Sequence, residues 1–207
     1  MGVRFGVLAL QGGFAAHAAA LGGAGASVRE VRRTGELEGL AGLVIPGGES
    51  TALLNLMRDE PWFDALRSFH ARGGVLAGTC AGAILLAREV RPAQPSLGLL
   101  GAVVDRNAFG RQVDSFEARV DAPALGGSID AVFIRAPRFR TLLPEVEVLG
   151  RHAGEPVLVR EGRVLAASFH PELTASRAFH EYAIGLAGRG EPTASAGAPA
   201  RIAAARL

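Results

Sequence analysis

The sequence predicts an α/β fold: a three-layer, open and mostly parallel β-sheet with helices on both faces and added antiparallel strands. Two observations support this prediction. In the first half of the chain, short apolar runs bounded by glycine alternate with segments of helical length, which is the order found in parallel sheets. In the second half, apolar runs follow one another with few helical segments between them, which indicates an antiparallel extension.

The candidate elements follow from the spacing of apolar residues and from the turn residues between them. The candidate strands cover residues 5–10, 40–45, 74–77, 99–104, 129–134, 145–149, 156–160 and 164–169. The candidate helices cover residues 14–21, 50–58, 62–71, 81–89 and 175–188. We interpret residues 1–188 as one domain and expect residues 189–207, which are rich in Ala, Gly and Pro, to be a mobile tail.

The composition is that of a globular chain and argues against several classes of protein. Apolar residues make up 49% of the chain and charged residues 20%, so the chain can bury a substantial core. The basic residues are all arginines scattered among acidic ones, and the net charge is +2, so nucleic-acid binding is not indicated. The chain has no apolar run long enough to span a membrane, no leader-like N-terminus and only one cysteine, and we therefore expect a cytoplasmic location.

The single cysteine, Cys80, lies where a buried strand is expected to turn sharply into an apolar helix. Gly78 and Gly82 flank it and leave room for a strained backbone and for close packing of strand and helix. The N-terminal end of the following helix would favour a thiolate and would offer backbone N–H groups to an oxyanion. This pattern is typical of a nucleophile elbow. Most free cysteines, however, are small buried core residues, and the segment alone does not decide between the two interpretations.

A base and an orienting carboxylate are predicted ninety residues further along the chain. His170 and Glu172 follow a strand-like run and are two residues apart, so in an extended chain they lie on the same side. A carboxylate beside an imidazole fixes its tautomer, and the other ring nitrogen can take a proton from a thiol. Cys80, His170 and Glu172 would thus act as nucleophile, base and orienting group. The remaining histidines are expected to be structural or exposed: His17, His70, His152 and His180.

Four loops follow predicted strands and would meet at the carboxyl edge of the sheet, where parallel sheets hold their sites. They contain residues 11–13, residues 46–51, Cys80 and His170. Loops that are far apart in sequence are therefore expected to surround one crevice.

The glycine pair Gly47 and Gly48 would let main-chain N–H groups approach a substrate oxygen. Ser50 is expected to cap the helix that begins near Thr51. A simple turn is the alternative interpretation of the glycine pair. A phosphate-binding loop is disfavoured, because the chain has no Gly-x-x-x-x-Gly-Lys motif and no Gly-x-Gly-x-x-Gly motif.

Three motifs together resemble the class I glutamine amidotransferases that use a Cys-His-Glu triad. They are Gly-Thr-Cys-Ala-Gly at residues 78–82, Pro-Gly-Gly-Glu-Ser-Thr at residues 46–51 and His-Pro-Glu at residues 170–172. Within this class, residues 7–12, 106–117, 133–137 and 168–174 resemble the glutaminase subunit of pyridoxal 5′-phosphate synthase. The resemblance covers residues 3–187. It departs in the tail and at Gly13, where bulkier residues are usual, and we expect neither departure to touch the triad.

The resemblance implies an enzyme, a glutaminase that hydrolyses L-glutamine to L-glutamate and ammonia through a glutamyl thioester on Cys80. His170 and Glu172 would complete the triad, and the chemistry requires no metal and no organic cofactor. Backbone N–H groups of Gly47, Gly48 and Ala81 would form the oxyanion hole.

The resemblance also implies a glutamine pocket. Its lining would consist of Gly48, Glu49, Ser50, Arg106, Ile134 and Arg135. An arginine suits the carboxylate of the substrate and Glu49 suits its ammonium group. For Arg106 and Arg135, the alternative interpretation is a surface ion pair.

A partner that uses the ammonia is implied as well. It would be the synthase subunit of pyridoxal 5′-phosphate synthase, a (β/α)8 barrel of vitamin B6 biosynthesis, in a large hetero-oligomer. Gln11, Gly12 and the first helix around His17 are candidates for the interface. Three alternatives remain: a glutaminase subunit of a different amidotransferase, a chaperone-like or protease-like protein on a similar sheet, and a non-catalytic partner subunit of the same fold.

Overall fold

The computed structural model describes residues 2–106 and 115–188. The strands in these residues are β1 Arg4–Leu8, β2 Ser27–Val31, β3 Gly42–Ile45, β4 Val75–Thr79, β5 Ala87–Arg91, β6 Leu100–Asp105, β7 Phe116–Ala122, β8 Gly127–Phe133, β9 Arg138–Leu142, β10 Glu147–His152, β11 Glu155–Glu161 and β12 Val164–Ala167. The α-helices are α1 Phe14–Gly23, α2 Ser50–Leu56, α3 Trp62–Ala71, α4 Ala81–Leu86 and α5 Ala178–Gly188. Residues 107–114, in one of the motifs that carry the resemblance, and the predicted tail at residues 189–207 lie outside the described residues.

A large sheet forms the middle layer of the described chain, with nine strands in the order β2-β1-β3-β4-β12-β11-β10-β7-β8. The five strands from β2 to β12 are parallel to one another. The four strands from β11 to β8 continue the sheet in antiparallel pairs. A small second sheet has the order β5-β6-β9. The predicted fold class is confirmed.

Apolar side chains fill both faces of the parallel part of the sheet. Along β3, Leu43 and Ile45 belong to one buried cluster and Val44 to the other, as the two-residue period of a strand requires. The first cluster includes Trp62 of α3, and the second includes Phe179 of α5. The helices therefore cover both faces and give three layers. None of the described helices combines the length and the hydropathy that crossing a membrane requires.

Four strands differ from the sequence-based expectations: β2, β5, β7 and β9 were not predicted. The predicted helix at residues 81–89 ends at Leu86, and Ala87 instead pairs with Leu100 of β6. Pairing with a strand that is distant in sequence outweighs the local helical preference. β2 lies at the edge of the sheet and carries Arg29 and Glu30. These charged residues interrupt the apolar run from which the other strands were predicted.

The corner between β4 and α4 depends on two glycines. A Cβ atom at Gly82 would lie 2.0 Å from the backbone oxygen of Ile45. A Cβ atom at Gly78 would lie 2.5 Å from the backbone carbonyl carbon of Gly82. The opposing atoms belong to the backbone, so no side-chain rotation can relieve either contact. The two glycines therefore let α4 lie directly against the sheet, as the elbow motif predicts.

We expect Gly82→Ala to lower the free energy of unfolding by about 3 kcal/mol, because the backbone must move to admit the methyl group. The matched control is Gly22→Ala in α1, where a Cβ atom meets nothing within 4 Å. This control is expected to raise stability by about 0.5–1 kcal/mol, since alanine favours a helix more than glycine does. Urea unfolding followed by circular dichroism measures both changes. Equal stability of the two variants would contradict the close packing at the corner.

Candidate active site

Cys80 occupies the turn between β4 and α4 and has a strained backbone. Its φ of 47° and ψ of −104° lie outside the regions that non-glycine residues normally adopt. Its N–H donates to the carbonyl oxygen of Ala167 over 2.9 Å, which ties the turn to the end of β12. Cys80 is 6% exposed. The thiol is therefore nearly buried, on the sharp strand-to-helix turn that the sequence predicts.

His170 follows β12 and is held at the edge of β8. Its N–H donates to the carbonyl oxygen of Val132 over 2.8 Å. Its Nδ1 lies 2.8 Å from Oε1 of Glu172, and its ring lines the same cavity as Cys80, whose thiol donates a long hydrogen bond of 4.0 Å to the carbonyl oxygen of Ile134. The structure thus brings together the three side chains that the sequence predicts as a triad.

Burial and close contacts have opposite effects on the two charged groups of this triad. Burial disfavours the imidazolium, but the interactions with Cys80 and Glu172 outweigh it and raise the pKa of His170 from 6.5 to about 10. Burial also disfavours the carboxylate, yet the polar contacts with His17 and His170 hold the pKa of Glu172 well below its usual value. The site therefore stabilises an imidazolium beside an ionised carboxylate at neutral pH.

A cavity of about 420 Å³ opens beside Cys80 and His170. Its volume lies in the range of small-molecule sites. All the residues that the resemblance implies for the glutamine pocket line this cavity. They are Gly48, Glu49, Ser50, Arg106, Ile134 and Arg135.

Glu49 caps α2, and Ser50 does not. The two carboxylate oxygens of Glu49 accept the N–H groups of Thr51 and Ala52 over 3.0 and 2.7 Å. These bonds, chiefly the one from Thr51, lower the pKa of Glu49. Ser50 is the first residue of the helix, and its hydroxyl donates to Oε1 of Gln94 over 3.0 Å. The expectation that Ser50 caps the helix is wrong, because the longer Glu49 side chain reaches the free N–H groups.

Two arginines border the cavity and are held differently. Arg106 donates hydrogen bonds to Oε1 of Gln94 and, over 3.4 Å, to Oγ1 of Thr51. Gln94 thus anchors both Ser50 and Arg106, and sequence analysis missed it because a loop glutamine follows no recognisable pattern. Arg135 is exposed and has a positive φ of 43°. Within the described residues neither arginine forms an ion pair, so both guanidinium groups can bind an anion.

Two glycine loops pack closely over the Cys80–His170 pair. A Cβ atom at Gly47 would lie 2.4 Å from Cε1 of His170, and one at Gly12 would lie 1.8 Å from the carbonyl oxygen of Gly47. Gly12 has a φ of 81°, a conformation that favours glycine. Only glycine allows the two loops to approach so closely. The residues predicted for the oxyanion hole adjoin Cys80 or its cavity: Gly47, Gly48 and Ala81.

Two contacts with Glu172 were not predicted from the sequence. His17, which was expected near a partner interface, is fully buried, and its Nε2 lies 3.2 Å from Oε2 of Glu172. The His17 side chain therefore presents no surface of its own in this chain, whereas Gln11 and Gly12 are at least partly exposed. A Cβ atom at Gly13 would lie 3.1 Å from Oε1 of Glu172, so the expectation that the departure at Gly13 does not touch the triad is wrong. Both contacts arise because folding packs the start of α1 against Glu172, and local sequence gives no sign of this.

A larger groove, of about 540 Å³, lies beside the hairpin of β7 and β8. Residues 173–175 line its other side. Its lining includes no cysteine and no histidine, so it lacks the thiol and the imidazole that the cavity at Cys80 provides. The smaller cavity at Cys80 is therefore the stronger candidate for an active site.

Comparison with known families and curated proteins gives one consistent result. Residues 7–187 match the family described as the SNO glutamine amidotransferase family. The chain is 51% identical over 189 residues to the pyridoxal 5′-phosphate synthase subunit PdxT of Deinococcus radiodurans, and the match covers 88% of this chain and 96% of that protein. It is 53% identical over 186 residues to a PdxT subunit of Thermus thermophilus, covering 88% and 97% of the two chains.

Solved structures agree with this result. The crystal structure of a glutamine amidotransferase has a TM-score of 0.84 and 53% sequence identity, with 89% of this chain and 99% of that chain covered. A putative GMP synthase subunit from Thermoplasma acidophilum has a TM-score of 0.68 and 18% identity, with 91% and 95% of the two chains covered. The second likeness, at low identity, shows a shared fold alone.

The raised pKa of His170 predicts a pH dependence of stability. Between pH 6.5 and about 10 the folded chain keeps a proton on His170 that the unfolded chain releases. The stabilisation is therefore fully present below pH 6.5 and is lost as the pH rises through 10, with a slope of up to about 1.4 kcal/mol per pH unit. Urea unfolding at a series of pH values measures this slope.

Glu172→Gln is expected to reduce the slope and to lower the midpoint at which His170 titrates, because it removes the carboxylate that opposes the effect of burial. The midpoint is measured by NMR of the imidazole protons. Glu89→Gln is the matched control, since Glu89 is exposed and pairs with Arg91 on the surface. A His170 midpoint near 6.5 in the unaltered protein would contradict the assignment of this charge pair.

Proposed function

This chain belongs to the SNO glutamine amidotransferase family, and on that premise we propose that it hydrolyses L-glutamine to L-glutamate and ammonia for pyridoxal 5′-phosphate synthesis. One observation carries the proposal. Cys80 and His170 line one cavity of about 420 Å³, and Nδ1 of His170 lies 2.8 Å from Oε1 of Glu172. Residues 1–188 form the glutaminase domain in this proposal, which the family match over residues 7–187 supports.

The reaction begins from the thiolate of Cys80 beside the protonated ring of His170, the form of the imidazole that the site stabilises at neutral pH. The thiolate then attacks the side-chain amide carbon of glutamine and forms a C–S bond. Glu172 holds Nδ1 of His170 and stabilises this imidazolium. The interactions that raise the pKa of His170 support this step, because they keep a cation beside the attacking sulfur.

The amide oxygen gains a negative charge when the thiolate attacks. Backbone N–H groups of Ala81 and of the Gly47–Gly48 segment donate to this oxyanion. Ala81 is the first residue of α4, so its N–H is among those that have no partner within the helix. The tight packing of Gly47 against His170 supports a role for this segment next to the reacting atoms.

The tetrahedral intermediate collapses when the imidazolium gives its proton to the amide nitrogen. The C–N bond breaks, ammonia leaves, and a glutamyl thioester remains on Cys80. His170 then takes a proton from a water molecule, whose oxygen attacks the thioester carbon. The C–S bond breaks, the thiolate of Cys80 forms again beside the protonated His170, and L-glutamate is released.

The charged ends of the cavity suit the backbone of an amino acid. Arg106 and Arg135 supply positive charge for the α-carboxylate, and the contacts of Arg106 with Gln94 and Thr51 hold it in place. Glu49 stays ionised and faces the same cavity. Its two helix-capping bonds leave acceptor positions on the carboxylate for the substrate ammonium group.

Ammonia made at Cys80 would escape unless a second protein used it. The relatives from Deinococcus radiodurans and Thermus thermophilus are named as subunits of pyridoxal 5′-phosphate synthase. We propose that the partner is the (β/α)8-barrel synthase subunit, in a large hetero-oligomer, in the reducing cytoplasm where a thiol nucleophile survives. Gln11 and Gly12 are the proposed contact points, because they are at least partly exposed and pack against the Gly47–Gly48 segment.

Cys80→Ala is expected to lower glutamine hydrolysis by about 10⁴-fold or more, because the residues of a triad act as a unit. His170→Asn is expected to have a comparable effect. His152→Asn is the matched control, since His152 lies on β10 and does not line the cavity, and it should hydrolyse glutamine at close to the unaltered rate. Release of ammonia measures all three rates.

The same assay with and without a pyridoxal 5′-phosphate synthase subunit tests the pathway. We expect hydrolysis to rise when the synthase subunit is present. If the rate of hydrolysis does not change with this subunit, the chain is still a glutaminase, but its proposed role in pyridoxal 5′-phosphate synthesis is excluded. Full activity of Cys80→Ala would refute the mechanism itself.

Arg106→Met is expected to raise KM for glutamine by roughly 10- to 100-fold with a smaller change in kcat, because it removes a charged hydrogen-bond donor for the substrate carboxylate. Arg91→Met is the matched control, since Arg91 is exposed and pairs with Glu89 over 2.7 Å. Steady-state kinetics measure both constants. An unchanged KM in Arg106→Met would exclude Arg106 from substrate binding.

A further inference from the structure

A pair of buried histidines lies behind the triad and has no part in the reaction steps above. His17 on α1 and His180 on α5 are both fully buried. Their rings meet through Nδ1 of His17 and Nε2 of His180, which are 2.9 Å apart. Polar side chains are seldom buried without a specific partner, so the contacts of this pair indicate its role.

The other nitrogen of His17 reaches the triad. Nε2 of His17 lies 3.2 Å from Oε2 of Glu172 and 3.2 Å from Oγ1 of Thr79. The contact with Thr79 has the geometry of a hydrogen bond, whereas Oε2 of Glu172 makes no well-aligned hydrogen bond with any described residue. The attraction between His17 and Oε2 is therefore chiefly electrostatic. The second oxygen, Oε1, lies 2.8 Å from Nδ1 of His170.

The positions of the protons follow from these contacts. Glu172 is ionised and can only accept, so a bare lone pair on Nε2 of His17 would repel Oε2, and Nε2 must carry the proton. Burial, with a smaller effect of His17, lowers the pKa of His180 to about 3 against the opposing effect of Glu172, so His180 is neutral.

Neutral His180 has a single N–H, and the structure indicates which nitrogen carries it. Nδ1 of His180 is buried without a hydrogen-bond partner among the described residues. An orphaned lone pair there is less costly than an orphaned N–H, so the proton lies on Nε2 and is donated to Nδ1 of His17. The N–H dipoles of His180 and His17 then both point toward Glu172.

We propose that His17 is a positioning residue for Glu172 and that His180 fixes the tautomer of His17. The N–H at Nε2 of His17 attracts Oε2, which keeps Oε1 directed at His170. The titratable groups in contact with His17 are Glu172 and His180, and β4 contributes only the neutral hydroxyl of Thr79. The effect on catalysis rests on the proposed function, whereas the effect on the His170 ring does not.

His17→Gln and His17→Met test the proposal as a pair, because the two side chains have nearly equal volume and only glutamine keeps an N–H near the position of Nε2. We expect His17→Met to lower kcat for glutamine hydrolysis by about 10- to 100-fold with little change in KM, as expected for loss of a charged contact. His17→Gln should restore most of this loss. The NMR titration midpoint of His170 should fall in His17→Met and return toward the unaltered value in His17→Gln.

Equal losses in both variants, or an unmoved His170 midpoint in His17→Met, would overturn the proposal, since a purely structural role would not distinguish an amide from a thioether. If His17→Met does not fold, His17→Gln alone tests the proposal. A loss of kcat greater than about tenfold in His17→Gln would overturn the proposal as well. The midpoint of His170 is measured without substrate. An unaltered protein that does not hydrolyse glutamine would therefore refute the proposed function and leave the positioning of Glu172 to be decided by the titration.

Discussion

The parallel pairing of β4 with β12 is the interaction on which the rest of the site depends. Thr79 pairs with Ala167 at the ends of the two strands, and the next N–H, that of Cys80, donates to the carbonyl oxygen of Ala167. Both strands are buried along their whole length, so water does not compete for these hydrogen bonds. The two strands deliver Cys80 and His170 to the same edge of the sheet, and a shift in their register would separate the two side chains.

Steric constraints at the same edge explain why a strained cysteine persists. The φ of Cys80 is unfavourable for a residue with a side chain, and such strain survives only where surrounding packing leaves no alternative. That packing comes from Gly82 against the backbone of Ile45 and from Gly78 against Gly82. The glycines therefore serve the nucleophile indirectly, because they let α4 pack tightly enough to hold the turn in its strained form.

The polar groups around Glu172 connect the buried start of α1 with the catalytic residue His170. A buried carboxylate is unfavourable unless polar groups surround it, and here His170 and His17 approach its two oxygens. The start of α1 also lies close to the carboxylate, since a Cβ atom at Gly13 would be 3.1 Å from Oε1, and the N-terminal end of a helix favours negative charge. The ionised carboxylate in turn offsets the effect of burial on the pKa of His170. The packing of α1 on one face of the sheet therefore influences the protonation of His170 at the carboxyl edge of the strands.

The fold class, the elbow at Cys80 and the pair of His170 and Glu172 could be predicted from the sequence, because each depends on local spacing or on a short motif. The residues around the cavity were implied by the resemblance to the class I glutamine amidotransferases. The folded structure was needed to show that Glu49 rather than Ser50 caps α2, that Gln94 anchors Arg106, and that His17 lies against Glu172. It also decided that residue 87 begins a strand. These features depend on contacts between segments far apart in the chain, and such contacts exist only once the helices and strands have packed together.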